Sequence, residues 1–341
     1  MRREACQSER PDKMMQKIVR NLIQNRTSSI SHEAAILTLV LAAVALTVAM
    51  WTQLKFTALP NILPLVAGVL VIDSISRFAP QTRTVTAVQS MLFGVLYLAI
   101  TCFCGILAAY ATQRFSLPLQ DRFFERADLA IGVNWFDVVR WIDDRPVINA
   151  ILRLAYGTMS AQIALPVVVL AFLGNTEDVR KYLLSFVIAL TATISISALL
   201  PAAGPIALVD RATFHVMQFG GATPVDHLIQ LRSAGSLIIH DRLAGIATFP
   251  SFHATIAVLT PLTLRRYRGL FFGLLVLDAA MLFGTITEGA HYATDVLGGT
   301  CIAFAAYFLA NRVIGARDSS VGELLAIYPV ARNPAGATRA V

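Results

Sequence analysis

This sequence predicts an all-α fold, a polytopic transmembrane bundle of about eight helices, and three observations support that. The chain has 341 residues, of which 56% are hydrophobic and only 14% charged; soluble domains carry roughly 25% charged residues, so the deficit points to lipid as the solvent. Apolar runs recur at 34–51, 59–78, 88–111, 150–173, 182–202, 270–286 and 292–311, most of them near the ~20 residues a helix needs to cross a bilayer. Finally, the charges fall between these runs, with more lysine and arginine on one alternating side than on the other.

In chain order, residues 1–33 read as a basic cytoplasmic arm, with an amphipathic stretch at 14–23 suited to lying on the membrane. Residues 34–86 carry two accessory spans. The run at 88–111 opens the larger unit, 87–314, and is followed by an exterior loop at 113–149. Within that loop, LQDRFFERADLAIGVNWFDVVRWIDDRP mixes aromatics and paired charges in a way that suits an interfacial helix at headgroup depth. Spans at 150–173 and 182–202 follow, then a second exterior loop, 204–248, rich in Gly, Pro and polar residues. A shorter span interrupted by Pro261 begins at Pro250, two more occupy 270–286 and 292–311, and 315–341 reads as a flexible cytoplasmic tail.

The net charge of +7 is not gathered into one patch, which argues against a nucleic-acid partner. With the N-terminus in the cytoplasm and eight alternating spans, the cytoplasmic segments carry 18 Lys and Arg and the opposite side nine, Arg153 lying within a span. That asymmetry places both termini in the cytoplasm of a plasma membrane, read as a bacterial inner membrane, with the partner bilayer around the bundle. Three of the four cysteines sit in apolar spans and Cys6 in the N-terminal arm, so no disulfide framework or zinc spacing arises. Residues 1–33 also lack the form of a short cleavable signal.

Two stretches carry the chemistry: ATFPSFHATIAVL from 247 to 259 and GTITEGAHYATDVLGG from 284 to 299. Under the alternation above, both begin spans on the exterior side, so two histidines 38 residues apart reach one membrane face. Pro250 suits the first turn of a helix. Ser251 offers a hydroxyl where helix N–H groups are free to bind an anion, and His253 follows on the same turn. His291 and Asp295, four apart, share a helix face, where the carboxylate fixes the imidazole's tautomer and frees its other nitrogen as nucleophile or base. Gly289 lets the backbone approach a ligand. Two imidazoles, a carboxylate and two helix N-termini form a site for handling phosphate. No metal or other cofactor is required, because histidine can itself accept a phosphoryl group, and no further Cys, Glu or His cluster completes a metal site. Taken singly, each histidine also fits an interfacial residue, and the His–Asp pair fits a structural ion pair. It is their joint arrival at one face that favours chemistry.

At these residues the chain resembles the type 2 phosphatidic acid phosphatase superfamily, which shares a six-helix core with vanadium haloperoxidases; the resemblance covers about 87–312. Its Pro-Ser-x-His motif matches at Pro250, Ser251 and His253, and the end of its Ser-Arg-x-x-x-Gly-x-His-x-x-x-Asp motif matches at Gly289, His291 and Asp295. The resemblance implies that His291 forms a phosphohistidine, Asp295 orients it, and His253 protonates the leaving oxygen and later activates the acceptor. Gly284 and Thr285 stand where the family's Ser-Arg would be, and no Lys-x6-Arg-Pro precedes Pro250. This combination looks like the inositol phosphorylceramide synthase branch (aureobasidin-resistance type), which transfers phosphoryl headgroups between lipids, with a lipid or inositol acceptor.

A cation should replace the absent arginine, because phosphoryl transfer depends on electrostatic stabilisation. Arg232 and then Arg242 are the favoured candidates, ahead of Arg211 and His240, with Thr285 at the arginine's position. Glu288 either binds an acceptor's hydroxyls or faces water. Asp73 and Asp278, inside apolar runs, read as inter-helix hydrogen-bonding groups. The reading is an integral membrane enzyme acting on a phosphorylated lipid at the exterior face. Its rival is a non-catalytic lipid-binding or transport protein, favoured by the lost cationic motifs and opposed by the retained histidines and aspartate.

Overall fold

A computed structural model describes residues 30–51, 53–56, 67–68, 71, 74, 82–208, 214, 222–233, 237–239, 245–289 and 291–327. Among them the architecture is a helical bundle. Its elements are α1 (His32–Trp51), α2 (Arg83–Gln113), α3 (Asp121–Ala130), α4 (Trp135–Asp143), α5 (Pro146–Gly157), α6 (Met159–Phe172), α7 (Thr176–Leu199), α8 (Ala222–Ser233), α9 (Phe252–Leu264), α10 (Arg268–Thr287) and α11 (Ala293–Ile327). Two three-residue strands, β1 (Leu54–Phe56) and β2 (Leu237–Ile239), pair in parallel.

The helix starts follow local chemistry. Thr82 caps α2 by accepting from the Val85 N–H, and Asn175 caps α7 by accepting from the Asp178 N–H. Glu177 and Asp178 in the first turn of α7 favour the positive end of its dipole. Gly174, at φ +74°, makes the left-handed turn that separates α6 from α7. Helix α7 lies at the centre, packed against α1, α2, α6, α9 and α11, with Leu183, Phe186 and Val187 fully buried.

Five helices (α1, α2, α7, α10 and residues 293–317 of α11) are long and apolar enough to cross a membrane among the described residues, and α5 with α6 make a sixth if their bend counts as one span. The count therefore falls below the expected eight for two reasons. Most of the run at 59–78, Asp73 included, lies outside the described residues. The segment after Pro250 forms a 13-residue helix, about 20 Å long against the ~30 Å of a hydrocarbon core.

Several other expectations are corrected. The run at 150–173 is not one straight helix, because α5 and α6 meet at a 48° bend. There the Thr158 hydroxyl takes the Ala155 carbonyl just after Gly157 and interrupts the helical ladder. The stretch expected as one interfacial helix folds into two, α3 and α4; Phe124 and Trp135 are buried while Phe123 and Trp141 are exposed, and Trp135 Nε1–H donates to the Ile286 carbonyl at the end of α10. The stretch 204–248 contains α8, and α11 continues past Gly315 to Ile327. Asp278 is buried beside Gln162, yet among the described residues neither of its oxygens makes a well-formed hydrogen bond.

Candidate active site

The two motif stretches are fastened to each other backbone to backbone. Ser251, one residue after Pro250, is the N-cap of α9, so the helix opens at Phe252 and Pro250 lies outside its first turn. The Ser251 hydroxyl accepts from the Ala254 N–H, and its own N–H donates to the Asp295 carbonyl at 3.0 Å. The Thr255 hydroxyl lies 3.1 Å from the Ser251 carbonyl and 3.0 Å from that of Gly299 on α11. Only glycine permits this crossing: a Cβ on Gly299 would sit 2.1 Å from the Ser251 carbonyl oxygen.

That junction brings the histidines together. His253 and His291 line one cavity of about 540 Å³ and lie close enough for their charges to interact. His291 Nδ1 lies 3.1 Å from Asp295 Oδ2, which also accepts the Tyr292 N–H at 2.9 Å. A carboxylate can only accept, so Nδ1 carries the proton and Nε2 keeps its lone pair. Among the described residues Nε2 has no hydrogen-bond partner, and the ring it belongs to lines the cavity. Asp295 is fully buried, which makes its bond to the imidazole strong and its orientation fixed. His253 stacks face to face on Tyr156, with centroids 4.0 Å apart and planes 11° from parallel.

Gly289 has a nearer constraint than a ligand. A Cβ there would lie 2.7 Å from the Thr285 carbonyl oxygen and 2.8 Å from His291 Cδ2, with Tyr156 at 3.1 Å. Thr285 takes part through its backbone, its carbonyl accepting the His291 N–H, while its hydroxyl donates to Met281 within α10.

The start of α11 is not open to an anion as expected. Asp128, on α3, accepts the Ala293 and Thr294 N–H groups at 2.7 and 2.9 Å. Asp121 accepts the Gly204 N–H at 2.8 Å, with the Tyr292 hydroxyl at 3.2 Å; the burial and nearby carboxylates of Tyr292 push its phenol above its ordinary range. In sequence these acids registered only as charges offsetting basic residues, whereas in the structure they fix the turn that carries His291.

The expected replacement cations do not gather here. Arg232 is outside the cavity lining, its guanidinium donating to the Leu117 carbonyl, and partial burial lowers its pKa. Arg211, Arg242 and His240 lie outside the described residues. The arginine next to the cavity is Arg153, whose Nε lies 3.4 Å from the Glu288 carboxylate. Glu288 does not face water: it is 4% exposed and lines the cavity, and its burial raises its carboxyl above the usual range against the opposing pull of Arg153. Sequence reasoning passed over Asn149, Arg153, Tyr156 and Ser160, yet their spacing of 4, 3 and 4 makes one polar stripe along an apolar run.

Away from this polar end the cavity is apolar, with Ile106 and Ala109 from α2, Ile163 from α6, Leu190 and Ile194 from α7, and Leu228 from α8. Comparisons with curated proteins and with solved structures give no match. A family model described as the PAP2 superfamily matches residues 122–309, more than half of the chain, and that match takes in both histidines, Asp295 and the polar stripe. The chain belongs to the PAP2 superfamily.

Proposed function

We propose that this protein is a membrane lipid phosphatase or phosphotransferase that passes a phosphoryl group through His291. Membership of the superfamily supports phosphatase- or phosphotransferase-type activity. What carries the finer reading is one observation: two imidazoles, one of them oriented by a buried carboxylate, share a cavity whose far wall, from α2, α6, α7 and α8, is largely apolar. A phosphorylated lipid fits that division, with its head at the histidines and its chain along α2, α6 and α7.

In the first step the Nε2 lone pair attacks phosphorus, the bond to the leaving oxygen breaks, and that oxygen takes a proton from His253. Asp295 stabilises the positive charge that grows on the His291 ring. In the second step His253 accepts the proton of an incoming hydroxyl as its oxygen attacks phosphorus and the P–N bond breaks. Water as acceptor gives a phosphatase, and a lipid or inositol hydroxyl gives a transferase. The inositol phosphorylceramide synthase-like transferase is the second reading, favoured by Thr285 at the motif's arginine position and by the buried Glu288 beside Gly289. The positive-inside asymmetry supports a plasma-membrane enzyme, a bacterial inner membrane being the setting, with its termini in the cytoplasm and its site on the exterior face.

Incubating the purified protein with phosphatidic acid or phosphatidylinositol labelled on phosphorus, with and without diacylglycerol, ceramide or inositol, separates these outcomes. Free phosphate marks the phosphatase and a new labelled lipid the transferase. His291→Ala abolishes both, while an unchanged rate in that variant refutes the reading and returns the chain to a lipid-binding or transport role.

A further inference from the structure

Glu288 has no task in the two steps above. It is a buried carboxylate lining the reaction cavity, one residue from Gly289 and beside Tyr156. Among the described residues the cavity lining holds no lysine or arginine to offset the second charge of a dianion. With Thr285 at the arginine's position, the site is poorly suited to a phosphomonoester dianion and better suited to a monoanionic diester.

The carboxylate is also deliberately held. Helix α5 delivers Asn149 and Arg153, one turn apart, to one side of it. With its amide oriented to satisfy both neighbours, Asn149 donates to Glu288 Oε1 at 2.8 Å and accepts from Arg153 Nη2 at 3.2 Å. Arg153 Nε approaches both carboxylate oxygens, at 3.5 and 3.4 Å. Neither Asn149 nor Arg153 lines the cavity, but Glu288 does, along with Ser160 and Thr248. A carboxylate has about four acceptor positions, so capacity remains on the cavity side for donors that a ligand brings. Because the Arg153–Glu288 pair is neutral as a unit, it offers no field for an ammonium headgroup. The donors that suit it are uncharged hydroxyls.

We propose that Glu288, positioned by Arg153 and Asn149, binds the hydroxyl groups of an uncharged polyol, and that this polyol is the group joined to or released from the phosphorus at His291. The inference rests on the histidines being the phosphoryl-transfer site. In the transfer direction a polyol oxygen bonds to phosphorus, the P–Nε2 pair returns to His291, and the hydroxyl proton passes to His253. The same hydroxyls reach Glu288 whether the polyol is free in water or is the headgroup of a lipid.

The test is binding in nanodiscs, read in a His291→Ala protein so that it is independent of turnover. The probes are radiolabelled inositol and glycerol free in solution, and phosphatidylinositol against phosphatidic acid within the disc. The expected result is binding of a polyol probe, with phosphatidylinositol preferred over phosphatidic acid, and a Kd for that probe about tenfold or more higher when Glu288→Gln is added, as expected for lost hydrogen bonds to a charged group. Binding of the free polyols marks an acceptor site, and binding of phosphatidylinositol alone marks a donor headgroup site. If the Gln variant unfolds, Glu288→Asp, which keeps the charge and shortens the reach, takes its place under the same criteria. Absence of polyol binding, equal affinity for the two lipids, or a Kd unmoved by the substitution overturns the assignment. Polyol binding that persists when the wild-type protein shows no His291-dependent turnover overturns the enzymatic reading instead and leaves the Glu288 assignment standing.

Discussion

Asp295 Oδ2 holds two donors, the His291 ring and the Tyr292 N–H, so one oxygen sets both the tautomer of His291 and the turn that presents it. Asp295→Asn keeps the shape but offers an amide whose NH2 can face Nδ1 and reverse the tautomer. The expected outcome is a fall in kcat of about 10²–10⁴, by analogy with the loss of an orienting carboxylate in catalytic triads, with little change in thermal unfolding. A retained kcat in a folded variant contradicts the orienting role. His291, Asp295 and His253 were singled out in sequence by motif and spacing, yet His291 lies just before α11 rather than on its face and meets Asp295 through the turn at the helix start. The neighbours of Glu288 were not, since the ion pair with Arg153 joins positions 135 apart and no local periodicity signals such a partner.

Among the elements, α3 has the least obvious function and a specific one. It packs across the start of α11, and its Asp128 takes two N–H groups that would otherwise be left unsatisfied at a helix terminus. Asp128→Ala removes both bonds from a buried site, and the expected cost is about 2–3 kcal/mol, the scale of hydrogen bonds to charged groups. Chemical denaturation in detergent measures it, and a loss below about 0.5 kcal/mol contradicts the capping role. Activity should fall as well, because the same turn carries His291. The sequence showed paired charges and aromatics here at helical spacing, enough to predict helix but not what the helix covers. The break between α5 and α6 was hidden for a related reason: Gly157–Thr158 is a weak local signal in a long apolar run, and hydropathy reads straight through it.

For the molecule as a whole, composition was the strongest guide. A bundle of apolar helices follows from the charge deficit and run lengths, and the structure bears it out, whereas counting spans from hydropathy treated every apolar run as a full crossing. Helix α9 shows why that fails: enclosed by α6, α7, α10 and α11, it is apolar because it is buried in protein. Its position brings His253 to His291, and the glycine contact at Gly299 closes the junction. The central claim is therefore that the bundle exists to present the Nε2 atom of His291 to a lipid phosphate. The most direct measurement is to react the purified protein briefly with phosphorus-labelled lipid, quench it under alkaline conditions, and map the labelled peptide. The account predicts an acid-labile label on His291 and none in His291→Ala; label on any other residue, or turnover that persists in that variant, contradicts it.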